Sequence, residues 1–269
     1  MILDQRQLES FLELGQNRIY LPFSLHVFDT VSSTNQTVWE LSKQNAKPGC
    51  TVIATRQTAG KGQWGRVWSS PEGGLYISVL IATEFAAKDT YQLTLASAWG
   101  IVDKLQQYGI CVEIKWPNDL VLDGYKLGGI LTETKVQQEK ISQAVIGVGI
   151  NWQNQVPETG INLTTWQTSA QCQAIESLEQ LAATVLLGIE SGIQCLSQEG
   201  INILLSRYLQ SLVNLGDEVN LDWEIGTVVG VTTNGNLHVR MKTSHSKSVT
   251  APEIYLQPGT INLGYRKNI

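Results

Sequence analysis

The stretch from Ile114 to Leu131 constrains the fold more tightly than any other part of the chain, because Asp123-Gly124 sits between two runs of alternating apolar and polar residues. An Asp-Gly pair in that setting favours the two-residue turn whose twist matches an antiparallel hairpin. Closing that turn pairs Leu122 with Tyr125, Val121 with Lys126 and Asp119 with Gly128. Side chains of a strand alternate between faces. One face then collects Val112, Ile114, Trp116, Leu120, Leu122, Leu127 and Leu131 as candidate core. The other collects Lys115, Asp119 and Lys126, and Gly128 leaves room for something to approach the backbone. Pro117 has no N–H for a ladder hydrogen bond, so a bulge is expected there. The residues alone leave two readings of the charged face: a ligand surface, or a solvated sheet face with an ordinary Lys–Asp pair.

Around this hairpin the patterning predicts a mixed sheet with helices on one side, an α+β fold. Strands are expected at Leu25–Phe28, Thr51–Thr55, Leu75–Ile81, Cys111–Leu122, Tyr125–Thr134 and Ala144–Asn151. Ser32-Ser33-Thr34-Asn35 offers caps for a helix reaching about Asn45, and the Pro48-Gly49 turn ends that region. The spacing predicts further helices over Asp89–Tyr108, Ser177–Leu196 and Ile201–Val213. In the first, Leu93, Leu95, Ala96, Trp99, Val102 and Leu105 form one broad apolar face. After Leu215-Gly216-Asp217 the pattern shifts to short strands with an Asn234-Gly235 turn. We therefore place a large domain over residues 1–213 and a small β-barrel-like domain over 214–269.

Composition narrows the function classes. With 42% hydrophobic and 16% charged residues among 269, the chain can bury a sizeable core, and no apolar run is long enough to span a bilayer. Asp4, Gln5 and Arg6 stand where a secretory signal would be apolar, which points to the cytoplasm and away from a membrane partner. A formal net charge of −5 argues against a general nucleic-acid binder. Cys50, Cys111, Cys172 and Cys195 lack the paired spacing of a zinc or redox motif, and are expected to be reduced and mostly packed.

Gly60, Gly62 and Gly65 formally match a dinucleotide-binding fingerprint, yet Trp68-Ser69-Ser70-Pro71-Glu72-Gly73-Gly74 cannot supply the helix that must follow. A P-loop is excluded as well, since Arg66-Val67 stands where Lys and Ser or Thr are required. What remains is a glycine-rich loop carrying Lys61, Gln63, Trp64, Arg66 and Trp68. Interleaved cations and indoles suit a lid that orders over an anionic ligand; the alternative is a plain solvent loop.

Five segments in order resemble the biotin–protein ligases: Ser33-Thr34-Asn35-Gln36, the Gln57–Trp68 loop, Lys115-Trp116-Pro117-Asn118-Asp119, Lys126-Leu127-Gly128-Gly129-Ile130-Leu131 with Glu133, and Gly147-Val148-Gly149-Ile150-Asn151. The resemblance is strong over about residues 25–165. It implies a class II synthetase-like catalytic domain with a small SH3-like carboxy-terminal domain. It also implies activation of biotin by ATP and Mg²⁺ to biotinyl-AMP, followed by transfer to a lysine of a biotin carboxyl carrier protein such as that of acetyl-CoA carboxylase. By resemblance, Ser33, Thr34, Asn35, Gln57, Lys61, Gly62, Gln63, Lys126, Gly128 and Gly129 bind biotin. Gly60, Gly65, Arg66, Trp68, Lys115, Asn118, Gly149 and Asn151 hold ATP or the adenylate, and Lys126, Lys115, Asp119 and Arg66 form the catalytic set. No metal ligand is assigned.

Two departures and two rivals belong with that reading. The family loop commonly runs Gly-Arg-Gly-Arg-Arg-Gly-Arg, whereas Lys61, Gln63 and Trp64 stand here, removing the arginine fork at the first position and a charge at the second. Retention of the activated intermediate is thereby put in question. A lipoate or octanoate–protein ligase shares the fold, but the Ser-Thr-Asn and Lys-Trp-Pro-Asn-Asp segments favour biotin. A biotin-binding regulatory protein would carry a helix-turn-helix domain, for which the roughly two dozen residues before the first motif are too few. A homodimer through the sheet edge is familiar in the family, although no residue in the sequence specifies it.

Overall fold

Alternating burial along the strands builds a sheet with a different layer on each face. The computed structural model describes residues 3–15, 21–83, 85–221, 224–242 and 251–265. Its elements, in chain order, are α1 (Gln5–Gly15), β1 (Ser24–Val31), α2 (Thr34–Lys43), β2 (Cys50–Gln57), β3 (Leu75–Ile81), α3 (Thr90–Gln107), β4 (Glu113–Lys115), β5 (Asp119–Leu122), β6 (Tyr125–Gln137), β7 (Lys140–Ile150), α4 (Leu163–Ser169), α5 (Leu178–Gln198), α6 (Ile201–Gln210), β8 (Glu218–Leu221), β9 (Glu224–Val231), β10 (Leu237–Met241) and β11 (Glu253–Leu256). Seven strands form one sheet in the order β1-β2-β3-β7-β6-β5-β4, with β1 and β2 parallel and the other neighbours antiparallel. The mixed sheet and flanking helices are those expected, and the C-terminal strands form a separate four-stranded antiparallel sheet, β11-β10-β9-β8.

On one face Ile53, Ile77, Val79, Ile146 and Val148 pack into the main core, against which α3 and α5 lie. On the other, Val52, Leu80 and Val145 pack with Val38 of α2. Helices thus cover both faces, not the single side expected. The reason is visible in β2, β3 and β7, whose residues are apolar on both faces near α2, as in strands that must be buried twice. The helices α1 and α4 are additions to the expected elements.

The largest departure lies in the lysine hairpin. Residues 111–122 are not one strand: the chain reverses through Trp116-Pro117-Asn118, with the Trp116–Pro117 peptide cis, so that β4 pairs antiparallel with β5 and Lys115 stands opposite Asp119. The expected pairs Leu122–Tyr125 and Val121–Lys126 are present, but the register then shifts, placing Gly128 opposite Leu120 and Gly129 opposite Asp119. The bulge therefore falls near Leu127, not at Pro117. A bulge breaks the strict alternation of faces. Leu127 and Ile130 enter the core, while Leu131, expected there, turns to the opposite face. The other six expected core residues of this segment are buried.

The two sheets share one core, since Val219, Val228, Leu237 and Val239 belong to the same apolar cluster as the large sheet. Trp116 fastens them: its indole N–H donates to Gly235 O at 2.8 Å, and its backbone N–H to Asn214 Oδ1 at 3.1 Å. Close approach of α3 and α5 depends on glycines. A Cβ on Gly192 would lie 2.0 Å from the Ala96 carbonyl oxygen, and one on Gly100 2.0 Å from that of Gly188. Because backbone atoms cannot yield as a flexible side chain can, Gly192→Ala is expected to destabilise the fold by about 1–3 kcal/mol. The check is a denaturant or thermal melt, and a melt unchanged from the native protein would show that these helices have room to separate.

Candidate active site

The cleft lies on the α2 face of the sheet, floored by the strand residues that lack side chains there. A Cβ on Gly147 would sit 2.1 Å from Asn35 Oδ1, and one on Gly149 2.4 Å from Trp68 Nε1. Alternation in β7 sends Ile146, Val148 and Ile150 to the core, so Gly147 and Gly149 make the opposite face concave.

At one end three charges converge. Lys126 Nζ lies 2.6 Å from Asp119 Oδ1, and Lys115 Nζ is 3.8 Å from Asp119 Oδ2. Burial pushes the Lys115 ammonium below the ordinary lysine value; Asp119 opposes this, while Lys126 and Arg66 add to it. The Lys126 backbone is clamped from outside the hairpin, its N–H donating to Thr159 O and its carbonyl accepting from Ile161 N–H. Asn151 contributes here, donating to Lys126 O through its side chain at 3.3 Å. Asn118 fastens β5 to β6, its side chain donating to Ile130 O at 2.7 Å.

At the other end lies an uncharged polar recess. The backbone N–H of Thr34 donates to Gln57 Oε1 at 2.8 Å, and Gln57 Nε2 donates to Ser70 Oγ at 2.8 Å. Ser33 occupies the cap position of α2 without a side-chain capping bond, so the expected cap residues face the cleft instead. Asn35 is almost wholly buried, and its amide is committed to Ser78, Glu133 and Leu131 O.

The glycine loop folds across the middle. Gly62 N–H donates to Arg66 O at 2.7 Å, and Lys61 and Val67 form an isolated bridge. Lys126 Nζ lies 5.3 Å from the centre of the Trp68 ring, and Arg66 sits over Trp64. Trp68 Nε1 and Gln63 Oε1 are buried without a hydrogen-bond partner. Two unpaired polar atoms under a lid are the mark of a surface shaped for something polar.

Of the residues singled out in the sequence, Ser33, Thr34, Asn35, Gln57, Lys61, Gly62, Gln63, Arg66, Trp68, Lys115, Asn118, Asp119, Lys126, Gly129 and Gly149 line this cleft. Four do not. Gly128 is turned away by the bulge, where a Cβ would strike Gly149 O at 2.6 Å. Gly60 packs within the loop base against Trp68 O and Ser70, and Gly65 lies at a positive φ in open space. Asn151 acts on the Lys126 backbone, as described.

Sequence reasoning missed the carboxy-terminal segment. Ile261, Asn262 and Leu263 line the cleft, the Tyr265 hydroxyl donates to Asp119 Oδ2 at 2.5 Å, and Lys115 Nζ lies 4.3 Å from the Tyr265 ring centre. Nothing in the pattern of that segment distinguishes it from a tail. No group of three or more His, Cys, Asp or Glu able to hold a metal occurs among the described residues, and Asp119, the carboxylate of the charged end, is engaged by both lysines and Tyr265. These residues do not form a protein-built Mg²⁺ site.

A sequence profile of the Biotin/lipoate A/B protein ligase family matches residues 27–151. The bifunctional ligase/repressor BirA of Bacillus subtilis is 31% identical over 238 residues, covering 88% of this chain and 67% of that protein. That of Salmonella typhimurium is 31% identical over 243 residues, covering 88% and 73%. Among solved structures, the biotin protein ligase from Aquifex aeolicus in complex with biotin and ATP superposes with a TM-score of 0.67 at 25% identity, covering 86% of this chain and 95% of that one. The chain belongs to the Biotin/lipoate A/B protein ligase family and, within it, to the biotin–protein ligases.

The charged end has a cost that can be measured. Because burial lowers the affinity of Lys115 for its proton relative to the unfolded chain, stability is reduced below the folded-state value and recovers as pH rises towards the ordinary lysine value. Lys115→Met, which leaves the Lys126–Asp119 pair in place, is expected to raise the melting temperature at pH 7. That thermal gain should shrink as the pH approaches 10. Melting curves across this range check it; a lowered melting temperature at pH 7 would mean that Lys115 stabilises the fold.

Proposed function

We infer that this protein is an ATP-dependent biotin–protein ligase that joins biotin to a carrier lysine through biotinyl-AMP. The observation that carries this reading is a single cleft with Lys115, Lys126 and Arg66 gathered near one end and the neutral Thr34–Gln57 recess at the other. A ureido ring carries N–H donors and a carbonyl acceptor, and suits the recess; a carboxylate and phosphates suit the cations.

In the first step a carboxylate oxygen of biotin attacks the α-phosphorus of ATP, and the bond to pyrophosphate breaks. Both reactants are anionic, so the protein's task is to place positive charge where negative charge gathers. Lys126 is suited to the carboxylate and the forming mixed anhydride, with Lys115 and Arg66 beside the phosphates. Mg²⁺ would enter with the phosphates of ATP rather than on a protein cage. In the second step the acceptor lysine amine attacks the acyl carbon, AMP leaves, and an amide forms. Asp119, whose Oδ2 accepts from the Tyr265 hydroxyl, orients that amine or takes its proton. The loop over the cleft excludes water that would otherwise hydrolyse the adenylate.

The finer parts of the reading are the carrier, which we take to be the biotin carboxyl carrier domain of acetyl-CoA carboxylase, a cytoplasmic location, and homodimerisation. Within the family, lipoate ligases handle an acid without a ureido ring, and the polar recess favours biotin over that substrate.

Intact-mass measurement of a carrier domain incubated with the protein, biotin and Mg·ATP is expected to show a biotin-sized gain. Lys126→Ala should slow that gain roughly a hundredfold or more. A gain with lipoate in place of biotin, and none with biotin, would overturn the substrate assignment.

A further inference from the structure

We propose that Glu133 is a positioning residue that sets the hydrogen-bond polarity of the recess, holding Thr34 as an acceptor for a ligand N–H. The inference rests on the biotin reading above and extends it to a residue outside the cleft lining.

An ionised carboxylate only accepts hydrogen bonds. Glu133 Oε2 takes the Nδ2–H of Asn35 at 3.0 Å and the indole N–H of Trp39 at 3.0 Å. Asn35 can satisfy that carboxylate only by turning its NH₂ towards it, which leaves Oδ1 facing Ser78 Oγ at 2.7 Å. An amide oxygen cannot donate, so the single proton of Ser78 goes to Asn35. Ser78 Oγ is also 2.7 Å from Thr34 Oγ1. Having spent its proton, Ser78 must accept there, and Thr34 donates. The other neighbour of the Thr34 hydroxyl, Gln57 Oε1 at 3.2 Å, likewise can only accept. Either way the Thr34 proton stays within the protein, and its oxygen offers the cleft a lone pair.

Ser78 is fully buried and Asn35 nearly so, so water has little access with which to scramble this order. Gln57 is fixed from the opposite side: its Oε1 takes Thr34 N–H, and one Nε2 proton goes to Ser70, whose own proton goes to Trp68 O. The second Nε2 proton remains for a ligand carbonyl. An acceptor at Thr34 beside a donor at Gln57 is the complement of a cyclic urea, which presents N–H next to C=O. Without the carboxylate, only the longer contact to Leu131 O at 3.4 Å holds the Asn35 amide; once it flips, Ser78 donates to Thr34, the Thr34 proton keeps only Gln57 Oε1 at 3.2 Å as its acceptor within the protein, and the preference of the recess for an N–H weakens.

The test uses ATP–pyrophosphate exchange with biotin and with the two cyclic carbamates in which one or the other ureido N–H is replaced by oxygen. The native protein should favour biotin over at least one carbamate by about a hundredfold or more in kcat/KM, because a site built around a ligand N–H rejects its absence. Glu133→Met should cut that ratio about tenfold, with the loss falling on KM for biotin more than on kcat. Glu133→Gln should restore it, since an amide oxygen can still take both donors. Ser78→Ala removes the nearer acceptor of the Thr34 proton and should behave like Glu133→Met, which keeps the test decisive if the methionine variant does not fold. A native ratio in either variant overturns the proposal, as does an equal loss in Glu133→Gln and Glu133→Met. Failure of the native protein to exchange with biotin at all would instead overturn the ligase reading, and with it this one.

Discussion

Two lysines of like charge share a half-closed cleft, and the arrangement holds because Asp119 stands between them. Much of the surrounding structure serves to keep those three groups together. Reversal of the chain at Trp116-Pro117-Asn118 sets Lys115 opposite Asp119, and the bulge in β6 sets Lys126 beside it. Loop 159–161 and Asn151 fix the backbone behind Lys126, so its long side chain starts from a rigid point. Burial nevertheless lowers the Lys115 proton affinity, the usual compromise where stability is given up for a functional arrangement of charge.

The neutral end is organised by the opposite logic. No charge reaches the ligand there; instead one carboxylate, Glu133, sits behind a row of neutral groups whose donors and acceptors are ordered in sequence. Gly147 is as much a part of this as the polar residues, because a methyl group at that position would displace Asn35. The charged end and the ordered neutral recess thus share one cleft on the same face of the sheet.

The small C-terminal sheet is joined to the chemistry more closely than a separate module would be. Trp116 lies in the middle of the lysine segment, yet its indole is spent on Gly235 in the turn between β9 and β10. The segment beyond β11 then returns to the cleft, where Gly259 lies against Trp64 of the loop and Tyr265 reaches Asp119. Loop, charged end and carboxy-terminal segment therefore meet at one place.

Local signals of the sequence determined a good deal. The apolar run that follows the glycine-rich segment located β3 to the residue, the Asp123-Gly124 turn paired Leu122 with Tyr125, and an order of five short motifs was enough to indicate the family. Such features are legible because they depend on neighbours a few residues apart. Tertiary structure decided what alternation could not: the reversal at Pro117, the bulge that turned Gly128 and Leu131 to faces opposite those expected, the commitment of Asn35 to Ser78 and Glu133, and the arrival of Tyr265 from a patternless tail. The physical reason is common to all four. A strand's faces are set by hydrogen bonds to strands distant in sequence, and a polar group's role is set by the partners that burial leaves it.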